Sequence, residues 1–334
     1  MNLPRLPSLS FLRERCPHAP FDFLWYGAVY GRARLLVRAY YLFTLYWLAA
    51  VLAGHWAAWR TVGAIDPLWP IFWIEWMEVR AFVDGLAYAS LFFMLMALLL
   101  PQWRVARAGV FLCFLFWYAF INSFGKIGHD GHLWLAAGFL LIWLPDGDVR
   151  RSVGKQHYYL TVIASAQCLM MLTYTMSGVW KVAYGIDQMV QGQIGTFHPD
   201  ALATLTAFRL LQTNSESLLG PLLLRYPLVG WPMHLGATYL ETFAIVAAFR
   251  PSLHRLWGIG LIFFHFGTWL LMGIIFQTNI ALLGLLMVMS PFYREGTPLR
   301  VTLYNLPLLG PLFALLAPRA GRLDRARLRP SKSS

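Results

Sequence analysis

Apolar runs of roughly 20 residues recur along almost the whole chain, separated by short polar or charged stretches. That is the length an α-helix needs to cross about 30 Å of hydrocarbon. The pattern predicts eight spans, at 36–57, 81–100, 105–122, 132–145, 158–180, 228–249, 256–275 and 278–292, of which the fourth and eighth are short. Segments of about 10 residues alternating apolar and polar, the mark of a membrane β-barrel, do not occur. The expected fold is an all-α polytopic integral membrane protein of about eight transmembrane helices with interfacial segments and no separate soluble domain.

Residues 1–30 read as a cytoplasmic or interfacial N-terminal segment anchored by Phe11, Phe21, Phe23 and Trp25, residues 31–292 as the transmembrane domain, and 293–334 as an interfacial segment with a basic cytoplasmic tail. Residues 301–318 are apolar but interrupted by Pro307, Pro311 and Pro318, so they are expected to lie in the interface or re-enter rather than span. The connections 58–79 and 181–227 are too long for simple turns, and a helix is expected after Pro199. Long ordered loops usually serve a site, which points to function on their side of the membrane.

Composition supports this picture: 58% of residues are apolar and 13% charged, against about half and a quarter in ordinary soluble domains. That excludes a soluble enzyme. The net charge of +12 matters through its distribution. With the N-terminus inside, 21 of the 27 cations fall on the cytoplasmic side and six on the other (Arg60, Arg80, Lys126, Lys181, Arg209 and Arg225). Such a bias orients a plasma-membrane protein with both termini in the cytoplasm, and nucleic acid is not an expected partner. The three cysteines include no CxxC pair, so a thiol–disulfide relay is not indicated.

A few polar residues in the apolar runs carry the candidate chemistry. Lys181 closes the fifth span, between Trp180 and Tyr184. A lysine there can snorkel to the headgroups. Yet the chain uses Arg for 23 of its 27 cations, and only Lys can release its proton when desolvated, as a base must. His129, Asp130 and His132 open the fourth span at the same expected depth. They read as imidazole chemistry, as a zinc site without an evident fourth ligand, or as a polar helix start with Asp130 at the cap. Glu241 and His265 fall near the middles of spans six and seven. They are expected either to pair and lock two helices together or to line a polar cavity that holds a quinone head or relays a proton. His198 and His234 read as ordinary interface residues.

The segment TYTMSGVWKVAYGIDQMVQG resembles a motif of the vitamin K-dependent γ-glutamyl carboxylase family, whose bacterial relatives carry a horizontally transferred transmembrane domain. The matching residues are Tyr174, Ser177, Gly178, Val179, Lys181, Val182 and Gly192. HDGHLWLAAGFLLIWLP, HLGATYLETFAIVAAFRP and FHFGTWLLMGIIF resemble three further helices of the family, so the similarity runs over about residues 30–292. The resemblance implies Lys181 as the base toward reduced vitamin K (menaquinol), assisted by His129 or His132. It also places Tyr174, Ser177, Gly178, Trp180, Tyr184, Glu241 and His265 around the cofactor, with no metal. Oxygen and CO2 would be co-substrates, and a secreted or membrane peptide the substrate. Two features depart from the family: Trp180-Lys181 stands where the carboxylases have a Lys pair, and a short basic tail is read where the carboxylases continue into a large lumenal domain. Two other readings compete. One is a non-catalytic accessory protein for maturation of, or immunity to, a secreted peptide. The other is a proton-coupled transporter using Glu241 and His265, although no inverted repeat is visible.

Overall fold

The structure, a computed structural model, describes residues 23–62, 65–125 and 128–316. The N-terminal segment up to residue 22, Lys126 and the basic tail beyond 316 lie outside these. Among the described residues there are helices and turns and no strand. The main helices are α1 (Phe23–Trp59), α2 (Val79–Leu99), α3 (Arg104–Asn122), α4 (His132–Leu141) and α5 (Val153–Val190). They are followed by α6 (Ala201–Thr213), α7 (Gly220–Arg225), α8 (Pro227–Thr242), α9 (Ala244–Ala248) and α10 (His254–Met272). Last come α11 (Gln277–Leu283), which continues as a π-helical turn Gly284–Val288, then α12 (Leu299–Tyr304) and α13 (Leu309–Leu316).

Five helices are long and apolar enough to cross a membrane: Gly27–Trp59, Val79–Leu99, Arg104–Asn122, Val153–Val190 and Pro251–Met272. They correspond to expected spans one, two, three, five and seven. Spans four and eight are the shorter apolar helices His132–Leu141 and Gln277–Val288. The sixth is split into α8 and α9 at Phe243. Large apolar side chains such as Leu35, Leu42, Tyr46, Tyr88, Phe92 and Leu99 point outward from the bundle. A continuous apolar exterior of this kind marks a lipid-facing surface rather than a water-facing one.

The main core joins α1 to α5 with α9, α10 and the α11 region around the buried rings of Tyr41, Trp117, Phe120, Trp134 and Trp257. The polar edges of these rings are matched: Trp134 donates to Thr44 Oγ1 at 3.0 Å and Trp117 to Ser90 Oγ at 2.9 Å. In hydrocarbon nothing else would satisfy them. The π-helical turn is matched likewise, because Gln167 Nε2 donates to the Leu286 carbonyl and to Ser290 Oγ.

Among the described residues Arg107 is the most buried cation, with its side chain fully buried. Its guanidinium donates to the carbonyls of Pro101, Ile142 and Leu144 and to Asp146 Oδ1 at 2.8 Å. It ties the α2–α3 turn to the loop after α4.

The connections take definite shapes, and one of them starts later than expected. Ser152 caps α5, its Oγ accepting from the Lys155 amide at 3.3 Å. The helix then runs for 38 residues, about 57 Å at 1.5 Å per residue, nearly twice the hydrocarbon thickness. The connection after α5 therefore begins at 191 rather than 181. The expected helix after Pro199 is α6, which ends at Asn214 in the left-handed region (φ 46°). The α6–α7 cap docks on the end of α10 through a small apolar cluster of Leu202, Ala203, Leu223 and Leu271 and the Leu219 N–H to Leu270 carbonyl bond at 2.9 Å. Residues 299–316 form two short helices, with Tyr239 hydroxyl donating to the Pro307 carbonyl at 2.7 Å.

Candidate functional site

Tyr174, Ser177, Gly178 and Lys181 follow one another at offsets of three, four and seven residues, which places them on one face of α5. That face meets α8 and α10. The contact with α8 is unusually close at Gly178: a Cβ there would lie 2.2 Å from the Thr242 amide nitrogen and 2.6 Å from its Cα. Only a residue without a side chain lets the two backbones approach so far. The approach falls where α8 stops. Beyond Phe243 the chain restarts as α9, and the Ile245 N–H left free at the restart donates to Thr175 Oγ1 of α5 at 2.8 Å.

Glu241 sits in this last turn of α8, 3% exposed. Lys181 Nζ forms an ion pair with its Oε2, and Ser177 Oγ donates to its Oε1 at 3.3 Å. Lys181 itself is one-third exposed at its side chain (33%) and lies 5.5 Å from the centre of the Phe264 ring. One level away along α5, the Tyr174 hydroxyl and His265 Nε2 share a hydrogen bond of 2.6 Å. Two points of the sequence reading change here. Glu241 and His265 do not pair with each other; each takes a partner from α5. And Lys181 and Glu241, expected at different depths, share one, because α5 continues nine residues past Lys181 and α8 ends one residue past Glu241.

A cavity of about 360 Å³, whose wall includes neither Lys181 nor Glu241, is lined by Leu202, Leu240, Phe263, Phe264, Leu271 and neighbouring residues of α8 and α10. Phe264 belongs to both the cavity and the Lys181 contact. The polar lining is His234 and Thr268. His234, read from sequence as an ordinary interface residue, is 8% exposed, and its Nε2 has no hydrogen-bond partner among the described residues. Its spacing to Thr238 and Glu241, four and then three residues, is the sequence signal that puts it on the buried face of α8.

Other expected site residues lie elsewhere. Trp180 and Tyr184 are exposed and stack on each other at 6.4 Å, without a hydrogen bond or ion pair to the Glu241 cluster. His129 and His132 face each other at 5.3 Å between ring centres, with Tyr118 against His132. Among the described residues no hydrogen bond, ion pair or ring contact joins either imidazole to Lys181. Gly131, not Asp130, holds the cap position of α4. The Asp130 carboxylate instead accepts from the Tyr118 hydroxyl at 3.4 Å, and its carbonyl accepts from Thr278. Among the described residues no three His, Cys, Asp or Glu side chains converge to hold a metal.

Chemically, the Lys181–Glu241 pair can hold its shared proton on either partner without changing its net charge. Its neutral form presents a free amine, a base, beside an apolar cavity. Compared with protein-family models, with curated proteins and with solved structures, the chain matches none.

Proposed function

We propose that this chain is a membrane enzyme in which Lys181 and Glu241 act as an acid–base pair on a reduced quinone. The observation that carries the reading is the Lys181–Glu241 pair, a buried carboxylate held by a lysine of α5, with Phe264 standing between Lys181 and an apolar cavity. The cavity volume of about 360 Å³ falls within the usual range for small-molecule sites. Its apolar walls suit a lipid-soluble ring, and the unpartnered His234 Nε2 suits an oxygen on that ring. Menaquinol, when bound, would supply a ring that reacts with oxygen, with CO2 as a further co-substrate where a peptide is carboxylated. Lys181 would take the hydroxyl proton as the base. Glu241 would stabilise the resulting ammonium, and the Tyr174–His265 hydrogen bond would hold α10 against α5. After extraction in mild detergent, the protein is expected to retain quinone detectable by mass spectrometry. Quinone-free preparations that also fail to bind added menaquinone would remove this reading.

The orientation belongs to the same proposal: a plasma-membrane protein with the 191–226 connection outside. In a background without native cysteines, Ser215→Cys is expected to react with an impermeant maleimide from outside, and Glu295→Cys only after permeabilisation. The opposite labelling would put the site on the cytoplasmic side.

A second reading, a proton-coupled transporter, is favoured by one observation, the discontinuity at Phe243 beside Glu241. Proton uptake into proteoliposomes without quinone or oxygen would support it over the first.

A further inference from the structure

A second cavity, about 760 Å³, lies at the opposite end of the bundle from the outer cap, among the first turns of α1, the start of α3, the loop after α4 and the first turns of α5. Arg34, Arg104 and Arg150 line it together with Tyr30 and Tyr159. Asp146 and Asp148 line it too, but both are already engaged. Asp146 accepts from Arg107 at 2.8 Å and lies 4.0 Å from Arg104, while Asp148 pairs with Arg151 at 3.0 Å and accepts from the Arg150 amide at 3.1 Å. Lys155 Nζ adds a further charge, 3.1 Å from the Asp146 carbonyl. Counting lining and flanking groups, six cations stand against two aspartates, a surplus of four. Arg34, Arg150 and Lys155, which form no ion pair among the described residues, and the second of the two arginines at Asp146 make up that surplus.

Backbone geometry adds to this field. The 19-residue helix α3 begins at Arg104 with no side-chain cap, and Arg104 and Val105 line the cavity, so its first free N–H groups lie at the cavity wall. The rim is apolar on the outer surface of the bundle, where Trp103 and Val105 are exposed. Arg104 also lies over the Trp143 ring at 5.6 Å.

We propose that this cavity binds a phosphate-bearing anion, and that the apolar rim makes the source the headgroup of an anionic phospholipid in the surrounding leaflet. Basic pockets between membrane helices hold such headgroups by this combination of guanidinium charge and interfacial aromatic rings. The proposal does not depend on the chemistry at Lys181.

Native mass spectrometry of the full chain, titrated with phosphatidylglycerol or phosphatidylcholine in detergent, tests it. The parent protein is expected to retain phosphatidylglycerol in preference to phosphatidylcholine. Arg34→Gln with Arg150→Gln is expected to lower phosphatidylglycerol binding about thirtyfold, and the exposed-loop change Arg150→Gln alone about fivefold, since each cation near the surface carries about one part of that effect. Circular dichroism and the thermal midpoint report whether the double variant folds; if it does not, the single variant decides. Displacement of the lipid by inorganic phosphate would keep the phosphate site but overturn the lipid as its source. Equal retention of the two lipids by the parent, or equal phosphatidylglycerol binding by parent and Arg150→Gln, would overturn the site.

Discussion

Lys181→Arg is expected to insert and fold like the parent and to lose menaquinol-dependent oxygen consumption by at least about 100-fold, the lower end of what a positioned general base contributes. The substitution keeps the positive charge, most of the stem and the ability to bond Glu241. What it removes is the capacity to give up a proton, because a guanidinium stays charged in a protein. The pair would then be locked in its ionic form. Glu241→Gln attacks the other half: the amide still accepts from Ser177 but neither shares a proton nor offsets the ammonium. It should also lower turnover, with a thermal midpoint close to the parent's, since the one-third exposed Lys181 can turn toward the surface. If Lys181 serves only to anchor the helix at the headgroups, Arg does that equally well, so parent-like turnover in Lys181→Arg would take the lysine out of the mechanism.

The largest effect on stability is expected at Arg107, far from that site. Arg107→Met keeps the length of the stem and removes donors from three carbonyls and one carboxylate. A buried acceptor left without a partner costs about 1–3 kcal/mol, so a total loss of roughly 3–5 kcal/mol follows even after water reaches the half-exposed Asp146. The measurement is the thermal midpoint of the monodisperse fraction in detergent, with Arg104→Met as the comparison. Arg104 is half-exposed and only 4.0 Å from Asp146, so its loss should shift the midpoint far less. Equal shifts for the two variants would show that burial of the guanidinium contributes nothing special.

Burial separates these two arginines in the structure, and the sequence does not show it. Both look like cytoplasmic loop charges in the sequence RVARAGVF. Only the position of Arg107 a turn inside the apolar run hints that it turns back into the protein. The long apolar helices were readable because hydrocarbon demands about 20 apolar residues in succession, a strong and local signal. The face of α5 was readable too, since Tyr174, Ser177, Gly178 and Lys181 repeat with the period of the helix. The pairing across helices was not. The midpoints of the apolar runs put Glu241 deep and Lys181 at a span end. Yet α5 runs on through polar residues to Val190, and α8 ends at Thr242 with neither glycine nor proline at the break. The groups that stabilise that break come from another helix, through Thr175, and no local pattern announces them. His234 escaped for a related reason: a histidine near the start of a span resembles a headgroup contact until the facing helix is known.

The contact between Gly178 and Thr242 has a consequence for how this molecule tolerates change. The separation of Lys181 from Glu241 is set by two main chains touching, not by the shapes of the apolar side chains around them. Leucines, valines and phenylalanines on the outer surfaces of α5, α8 and α10 can therefore be exchanged freely during divergence, and the ion pair keeps its place. A single methyl group added at 178 works the other way: it acts as a wedge with no flexible neighbour to yield, and it parts the acid from its base while leaving every charged residue intact. Sequences related to this one should thus drift widely over their lipid-facing surfaces and remain constrained at a position that carries no chemistry at all.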